Sequence, residues 1–122
     1  MTVGTWILVG AFGGTGAIGR FVVDGLIGER AGAREFPWGT SVVNLSGAAV
    51  LGVLAGAAVT GNALVLSGTA TIGSYTTLST WMLESHRLGQ DDQLAIAGVN
   101  LLGSLLVGFA AVAAGHAIGT AL

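Results

Sequence analysis

Four apolar segments, each about as long as a membrane-spanning helix, follow one another along this 122-residue chain. A helix needs roughly 20 residues to cross the hydrocarbon core of a bilayer. The segments cover residues 4–27, 38–59, 63–84 and 94–118, with short polar loops between them. The sequence therefore predicts one all-α membrane domain over residues 1–122, made of four transmembrane helices, without a separate soluble domain.

The composition excludes several other classes of protein. Only 8% of the residues are charged and 52% are hydrophobic, whereas a soluble domain carries about a quarter charged residues. With a net charge of −2 and no lysine, the chain has no basic surface that would bind nucleic acid. The absence of cysteine excludes disulfides and thiol chemistry. We expect a multi-pass protein of the cell's inner (plasma) membrane.

A polar run interrupts the third apolar segment. Residues 73–81, Gly-Ser-Tyr-Thr-Thr-Leu-Ser-Thr-Trp, place a glycine and five hydroxyl side chains of Ser and Thr at membrane depth. Lipid cannot satisfy such groups, so they are tolerated only inside protein or along a water-filled path. The run predicts a break in the third helix and a pathway or ion site beside it.

Three other polar side chains lie within apolar segments. Arg20 is deep in the first segment, where it either faces a vestibule or extends to the membrane surface, and Asp24 is one turn away. Asn44 is in the middle of the second segment and either offers its amide to an anion or bonds a neighbouring helix. Asn100 and Ser104 share a face of the fourth segment, and they could line a polar track.

Glycine makes up 22 of the 122 residues and recurs at four-residue spacing. In a bilayer, small residues at this spacing let helix backbones approach closely. We therefore predict tight helix packing at three pairs: Gly10 with Gly14, Gly52 with Gly56, and Gly115 with Gly119.

Arginine is unevenly distributed among the loops. Arg30, Arg34 and Arg87 lie in the first and third loops, and the second turn and both termini contain no Lys or Arg. The positive-inside rule places these two loops in the cytoplasm and both termini outside. Neither histidine, His86 or His116, has a catalytic arrangement around it, and we expect no enzyme activity.

Three motifs in order resemble the signatures of one family, the Fluc (CrcB) fluoride channels. Residues 13–20 resemble its first-helix signature, and residues 37–47 its second-helix signature. Residues 73–84 resemble its third-helix signature, which usually has Thr-Thr-Phe-Ser-Thr-Phe at the centre. The resemblance implies a fluoride-specific channel that exports fluoride from the cytoplasm and relieves its toxicity. It also implies an antiparallel, dual-topology-type dimer with one fluoride route along each side.

The resemblance assigns roles to individual residues. A structural sodium ion at the dimer centre would be held by the backbone carbonyls of Gly73 and Thr76. Asn44 corresponds to the pore asparagine and Arg20 to the vestibule arginine. The remaining residues expected along the fluoride pore are Thr77, Leu78, Ser79, Thr80, Trp81 and Ser104.

The chain departs from the family pattern where two phenylalanines are expected. Leu78 has no aromatic ring, and Trp81 keeps a ring and adds an indole N–H, a candidate donor to the anion. An antiparallel homodimer needs insertion in both orientations, which the arginine bias opposes. We therefore hypothesise that the chain pairs with a paralogous subunit, although a homodimer remains an alternative. Two further alternatives are a non-conducting or half-pore partner subunit and a small proton-coupled multidrug exporter that uses Asp24.

Overall fold

The computed structural model describes residues 1–31 and 36–122, and these residues form five helical segments. They are α1 (Val3–Ala31), α2 (Trp38–Gly56), α3 (residues 61–75), α4 (Ser79–Gln90) and α5 (Leu94–Thr120). The described chain is all-helical. Arg34, one of the arginines behind the predicted orientation, lies outside the described residues.

Three helices within the described residues are long and apolar enough to cross a membrane. They cover Val3–Arg30, Trp38–Gly56 and Leu94–Thr120, with mean hydropathies of 1.5, 1.5 and 2.0. Their outer faces carry large exposed apolar side chains, among them Trp6, Phe21, Leu106 and Phe109. Such surfaces suit lipid contact, so the chain is a multi-pass membrane protein.

The predicted third span is divided between α3 and α4. Helical backbone ends at Tyr75, Thr76 is extended with φ −79° and ψ 162°, and a new helix begins at Ser79. Within α3 the stretch Val65–Ile72 is wound as a π-helix. Neither part alone has the length of a bilayer-spanning helix.

The sequence-based boundary after Glu84 was wrong. A polar loop was predicted over residues 85–92, but α4 continues through Gln90. Ser85 and Leu88 are buried, which means that this stretch has an inner face packed on the start of α5. Burial of that face keeps a segment of low average hydrophobicity helical.

Glycines join α2 and α5 in the most extensive helix contact of the structure. A Cβ added to Gly52 or Gly56 would collide with the backbone of Val112 or His116. The same is true of Gly115 against Ala49 and of Gly119 against Val53, so the two helices run parallel. Close packing at these two predicted glycine pairs is confirmed. Gly10 and Gly14 have nothing within 4 Å of an added Cβ in this single chain.

The two sides of the break pack on different partners. α3 packs on α1, where Gly16 lies against the backbone of Thr71, and α4 packs on the first turns of α5. The interruption at residues 76–78 lets the chain pass from one partner helix to the other. It also brings the non-helical residues opposite the middle of α2.

Candidate functional site

The break frees backbone groups that a continuous helix would use. The Thr76 N–H makes the last helical bond, to the Ile72 carbonyl at 2.9 Å. The next N–H, that of Thr77, donates to Asn44 Oδ1 at 2.8 Å instead of continuing the ladder to Gly73. The Gly73 carbonyl thereby loses its regular helical donor, and the extended Thr76 turns its own carbonyl out of the helix.

Asn44 makes two bonds to the same residue of the break. In addition to accepting from the Thr77 N–H, it donates from Nδ2 to the Thr77 carbonyl, also at 2.8 Å. The predicted pore asparagine is therefore bound to the protein backbone. An amide has two N–H donors, and the second has no bond within the described residues.

Thr77 organises the start of α4. Its Oγ1 accepts from the Thr80 N–H at 3.3 Å and lies 3.2 Å from Thr80 Oγ1 and 3.4 Å from Ser79 Oγ. A hydroxyl that accepts an N–H three residues later caps a helix N-terminus. Three predicted pore hydroxyls thus form one cluster, while Leu78, between them, is 67% exposed.

Arg20 reaches the break from α1. Its Nη1 lies 3.5 Å from the Thr76 carbonyl, and it lines a cavity of about 190 Å³ together with Asp24, Thr77 and Thr80. Among the described residues, no ion pair joins Arg20 to Asp24. The structure brings this predicted vestibule residue to the helix break, where its charge faces the polar cluster.

Asp24 lies where α1 meets the beginning of α2. A Cβ on Gly39 would collide with the Asp24 carboxylate, so the carboxylate sits against the first turn of α2. A helix N-terminus stabilises a negative charge. Asp24 is exposed and near the end of α1, and this position gives no support to the multidrug-exporter alternative.

Trp81 belongs to a buried network between α4 and α5. Its indole Nε1 donates to the Asn100 carbonyl at 2.9 Å, so the structure does not leave this N–H free for an anion. Asn100 is fully buried and donates from Nδ2 to Ser85 Oγ at 2.7 Å, and Ser85 donates to the Trp81 carbonyl at 2.8 Å. Asn100 Oδ1 has no partner in the described part of the chain.

A second cavity, of about 230 Å³, lies between α2, α4 and α5. Ser41, Asn44, Trp81 and Ser104 line it, with aliphatic and aromatic side chains around the rest. Ser41 is 8% exposed, and its hydroxyl has no hydrogen-bond partner among the residues described. Ser41 was not among the residues predicted from the sequence, although it lies one turn before Asn44 on the same side of α2.

Together these features define a class of protein. The chain is a small multi-pass membrane protein in which a broken helix gathers hydroxyls, a carboxamide and a guanidinium, an arrangement typical of ion transport. The family model described as "CrcB-like protein, Camphor Resistance (CrcB)" matches residues 7–116. The chain belongs to the CrcB family.

The relatives agree over nearly the whole chain. "Fluoride-specific ion channel FluC 2" of Mycolicibacterium paratuberculosis is 52% identical over 115 residues, which cover 94% of this chain and 93% of the relative. The protein of the same name from Mycobacterium tuberculosis is 48% identical, with 95% and 91% covered. "Fluoride-specific ion channel FluC 1" of Symbiobacterium thermophilum is 38% identical, with 94% and 97% covered. These names describe channels and not enzymes, in agreement with the prediction.

Proposed function

We propose that this chain is a pore-forming subunit of a fluoride-specific ion channel, through which fluoride leaves the cytoplasm and its toxicity is relieved. The observation that carries the proposal is the break at residues 76–78, which gathers freed backbone groups and a hydroxyl cluster in a chain of this family. Fluoride holds its water strongly, so a route must replace that water with several weak donors.

The donors available for such a route lie along α2, α4 and α5. Ser41, Asn44 and Ser104 line the cavity between these helices. Arg20 would raise the local anion concentration at the end of the path nearer α1. We expect the cluster of Thr77, Ser79 and Thr80 to continue the polar wall, with Leu78 and Trp81 as its apolar part.

A structural sodium ion fits the donor set of the break. The Gly73 carbonyl has lost its helical donor, and among the described residues the Thr76 carbonyl has only the long contact with Arg20. Backbone carbonyls are the hard oxygen ligands that a small cation prefers. Gly73 and Thr76 would hold the ion, and the ion would supply a fixed positive charge near the anion path.

Two carbonyls from one chain leave the shell of a cation incomplete. A second subunit across a two-fold axis would double the ligand set. Gly73 and Leu78 are exposed in the single chain and line an open groove between α2, α3 and α4, which offers a surface for that subunit. An antiparallel dimer therefore completes both the ion site and the groove.

The partner is either a second copy or a paralogous subunit. Relatives carry the names FluC 1 and FluC 2, which suits a pair of paralogues. Leu78, exposed at the break, lacks the aromatic edge that the family's pattern has there, and this favours a paired arrangement in which the other subunit supplies it. A half-pore partner subunit is the second candidate function.

Fluoride efflux from liposomes tests the proposal. The purified chain is reconstituted alone and together with a candidate paralogue, and released fluoride is followed with an ion-selective electrode. We expect fluoride release far above chloride release in at least one of the two preparations. Efflux from the chain alone would identify a homodimeric channel, and efflux only from the mixture a heterodimeric one. No fluoride release from either preparation would contradict the proposal.

The arginine bias supports a plasma-membrane orientation with the first and third loops in the cytoplasm. Arg30 is exposed at the C-terminal end of α1, and Arg87 is exposed in α4. Arg87 shares a cavity with Phe36 and Pro37, which precede α2, so the arginines at the first loop and at α4 lie at the same end of the molecule.

A further inference from the structure

The two bonds between Asn44 and Thr77 form a closed pair. Both measure 2.8 Å, one from the Thr77 N–H to Oδ1 and one from Nδ2 to the Thr77 carbonyl. In an antiparallel sheet, one residue exchanges two bonds with the backbone of its partner in the same way. The carboxamide of Asn44 thus acts toward Thr77 as a neighbouring strand would.

The chemistry of the pair determines the orientation of the amide. With the oxygen and nitrogen exchanged, an N–H would face the Thr77 N–H and a carbonyl would face the Thr77 carbonyl. Both contacts would then be repulsive. The side chain is therefore held in one orientation by the backbone of the break.

The pair connects a rigid part of the molecule to the break. Asn44 is on α2, which glycines bind closely to α5, and its neighbour Val43 is fully buried. Thr77 in turn caps α4 through its hydroxyl, which accepts the Thr80 N–H. A fixed Thr77 therefore sets where α4 begins and where the side chains of residues 78–81 are placed.

We propose that Asn44 is a positioning residue that holds the non-helical backbone of Thr77 and so keeps the break between α3 and α4 in register with α2. The effect of Asn44 on the structure of the break is independent of the transported ion. The effect of Asn44 on fluoride flux rests on the proposed function. The amide contributes one donor and one acceptor to this role, and its second N–H takes no part.

Asn44→Asp separates this role from direct binding of an anion by the amide. An ionised carboxylate still accepts from the Thr77 N–H but cannot donate to the Thr77 carbonyl. A protonated carboxyl group can do both, so it restores the pair. It lacks the second N–H of the amide.

The experiment measures hydrogen exchange of the Thr77 amide and fluoride efflux on the same reconstituted protein, from pH ~8 down to pH ~4, where an Asp carboxyl of ordinary pKa, about 3.9, is about half protonated. In Asn44→Asp at high pH the ionised carboxylate repels the Thr77 carbonyl that Nδ2 now binds, so Thr77 is held less closely even though its N–H keeps an acceptor. We therefore expect exchange at Thr77 about tenfold faster than in the unsubstituted protein. As the introduced carboxyl is protonated, protection should return. Asn44→Leu, which can form neither bond, should remain unprotected at every pH.

Asn62→Asp is the matched control, because Asn62 is exposed at the start of α3. Arg20 and Asp24 face the Thr77 cavity from α1, and Glu84 of α4 accepts the Thr40 hydroxyl of α2. These groups are present in all variants, so any pH dependence that the unsubstituted protein also shows is subtracted. Vesicles without protein give the passive leak of hydrogen fluoride.

The outcomes separate the two proposals. Protection that returns together with efflux supports the positioning role, and protection that returns without efflux supports it too and assigns the lost efflux to the missing second N–H. Thr77 exchange in Asn44→Asp and Asn44→Leu equal to that of the unsubstituted protein would overturn it. If the unsubstituted protein releases no fluoride, the proposed function fails while the exchange measurement still decides the role of Asn44.

Discussion

At the scale of single residues, the surroundings of Ser41 in the structure could not be predicted from the sequence around it. In the sequence it is one small residue in an apolar helix, but in the structure it lines a cavity, and its buried hydroxyl has no partner among the described residues. A buried polar group without a partner lowers stability, so its presence needs a reason. Donation to a passing anion would be such a reason.

Ser41→Ala tests this role. The hydroxyl makes no bond to the described protein, so its loss should leave stability unchanged or raise it by up to ~1 kcal/mol. Fluoride efflux in the active pairing should fall about tenfold, because a hydrogen bond to a charged group is worth roughly 1.5–3 kcal/mol. The measurements are thermal unfolding in detergent and efflux from liposomes.

Ser67→Ala is the control for Ser41→Ala, because the Ser67 hydroxyl donates to the Ala63 carbonyl of its own helix. Efflux from this variant should match that of the unsubstituted protein. Equal efflux from Ser41→Ala and the unsubstituted protein would exclude Ser41 from the path.

At the scale of elements, the end of α2 has an unusual backbone. Ala58 adopts a left-handed conformation with φ 56°. Its N–H donates to the Ala55 carbonyl, and the Val59 N–H donates to the Leu54 carbonyl. These are the two bonds of a Schellman motif, in which the left-handed position usually holds glycine. The motif ends α2 at Gly56, three residues before the end of the predicted span.

Ala58→Gly should therefore stabilise the protein. A left-handed conformation costs an L-residue roughly 1–2 kcal/mol, partly offset by the greater freedom of glycine in the unfolded chain, so we expect a gain of about 1 kcal/mol. Ala57→Gly is the matched control, because Ala57 has φ −77° and gains nothing from glycine. Unfolding of both variants in detergent compares them, and a gain no larger for position 58 than for position 57 would count against the assignment.

The contact between α2 and α5 depends on the absence of side chains. A Cβ on Gly115 would collide with the Ala49 carbonyl, which is backbone and cannot move away alone. We expect Gly115→Ala to destabilise the protein by about 1–3 kcal/mol, as over-packing does in other tightly packed interiors. The free energy of unfolding in detergent is the measurement.

Gly98→Ala provides the comparison for Gly115→Ala on the same helix, since nothing lies within 4 Å of a Cβ at that position. It should cost little, and alanine's better helix propensity should favour it. A Gly115→Ala variant as stable as Gly98→Ala would show that α2 and α5 are less closely packed than the structure indicates.

At the scale of the whole molecule, the distribution of arginines predicts how the chain inserts into the membrane. Because the chain has no cysteine, one introduced cysteine reports the side of the membrane on which it lies. Ala121→Cys should react with an impermeant thiol reagent added to intact cells, and Gln90→Cys should not. Both positions are exposed in the structure.

Replacing Arg30 and Arg87 by glutamine should weaken this orientation. With most of the arginine bias removed, both cysteine reporters should become partly labelled, because positive loop charge sets the topology of short-looped membrane proteins. Partial labelling of both reporters already in the unsubstituted background would mean that the chain inserts both ways. It would then favour a homodimer over a pair of paralogues.

Much of the fold follows from the sequence because it depends on short-range pattern. The length and apolarity of three helices, the glycine spacing of α2 and α5, and the family motifs are all properties of neighbouring residues. The extension of α4 to Gln90 was missed, because Ser85 and Leu88 gain their burial from α5 and not from their own segment.

The site was only partly predictable. Arg20, Asn44 and Thr77 could be selected because polar groups at membrane depth stand out in the sequence. Their partners could not be selected in the same way. The Trp81 indole looked like a free donor, whereas in the structure the Asn100 carbonyl of another helix accepts its N–H.

The sequence by itself determined that this is an apolar, helical membrane protein of the CrcB family with a polar run in its third segment. Hydrophobic segments and family motifs can be recognised in this way because they depend only on the order of neighbouring residues. Only the tertiary structure decided which polar groups of that run and of α2 are already bonded and which have no partner in the described part of the chain. The Thr77 backbone is held by Asn44, 33 positions away, and the Ser41 hydroxyl is left without a partner among the described residues. The physical reason is that a donor in a bilayer is satisfied by whichever acceptor folding brings near, and that acceptor belongs to a distant part of the chain.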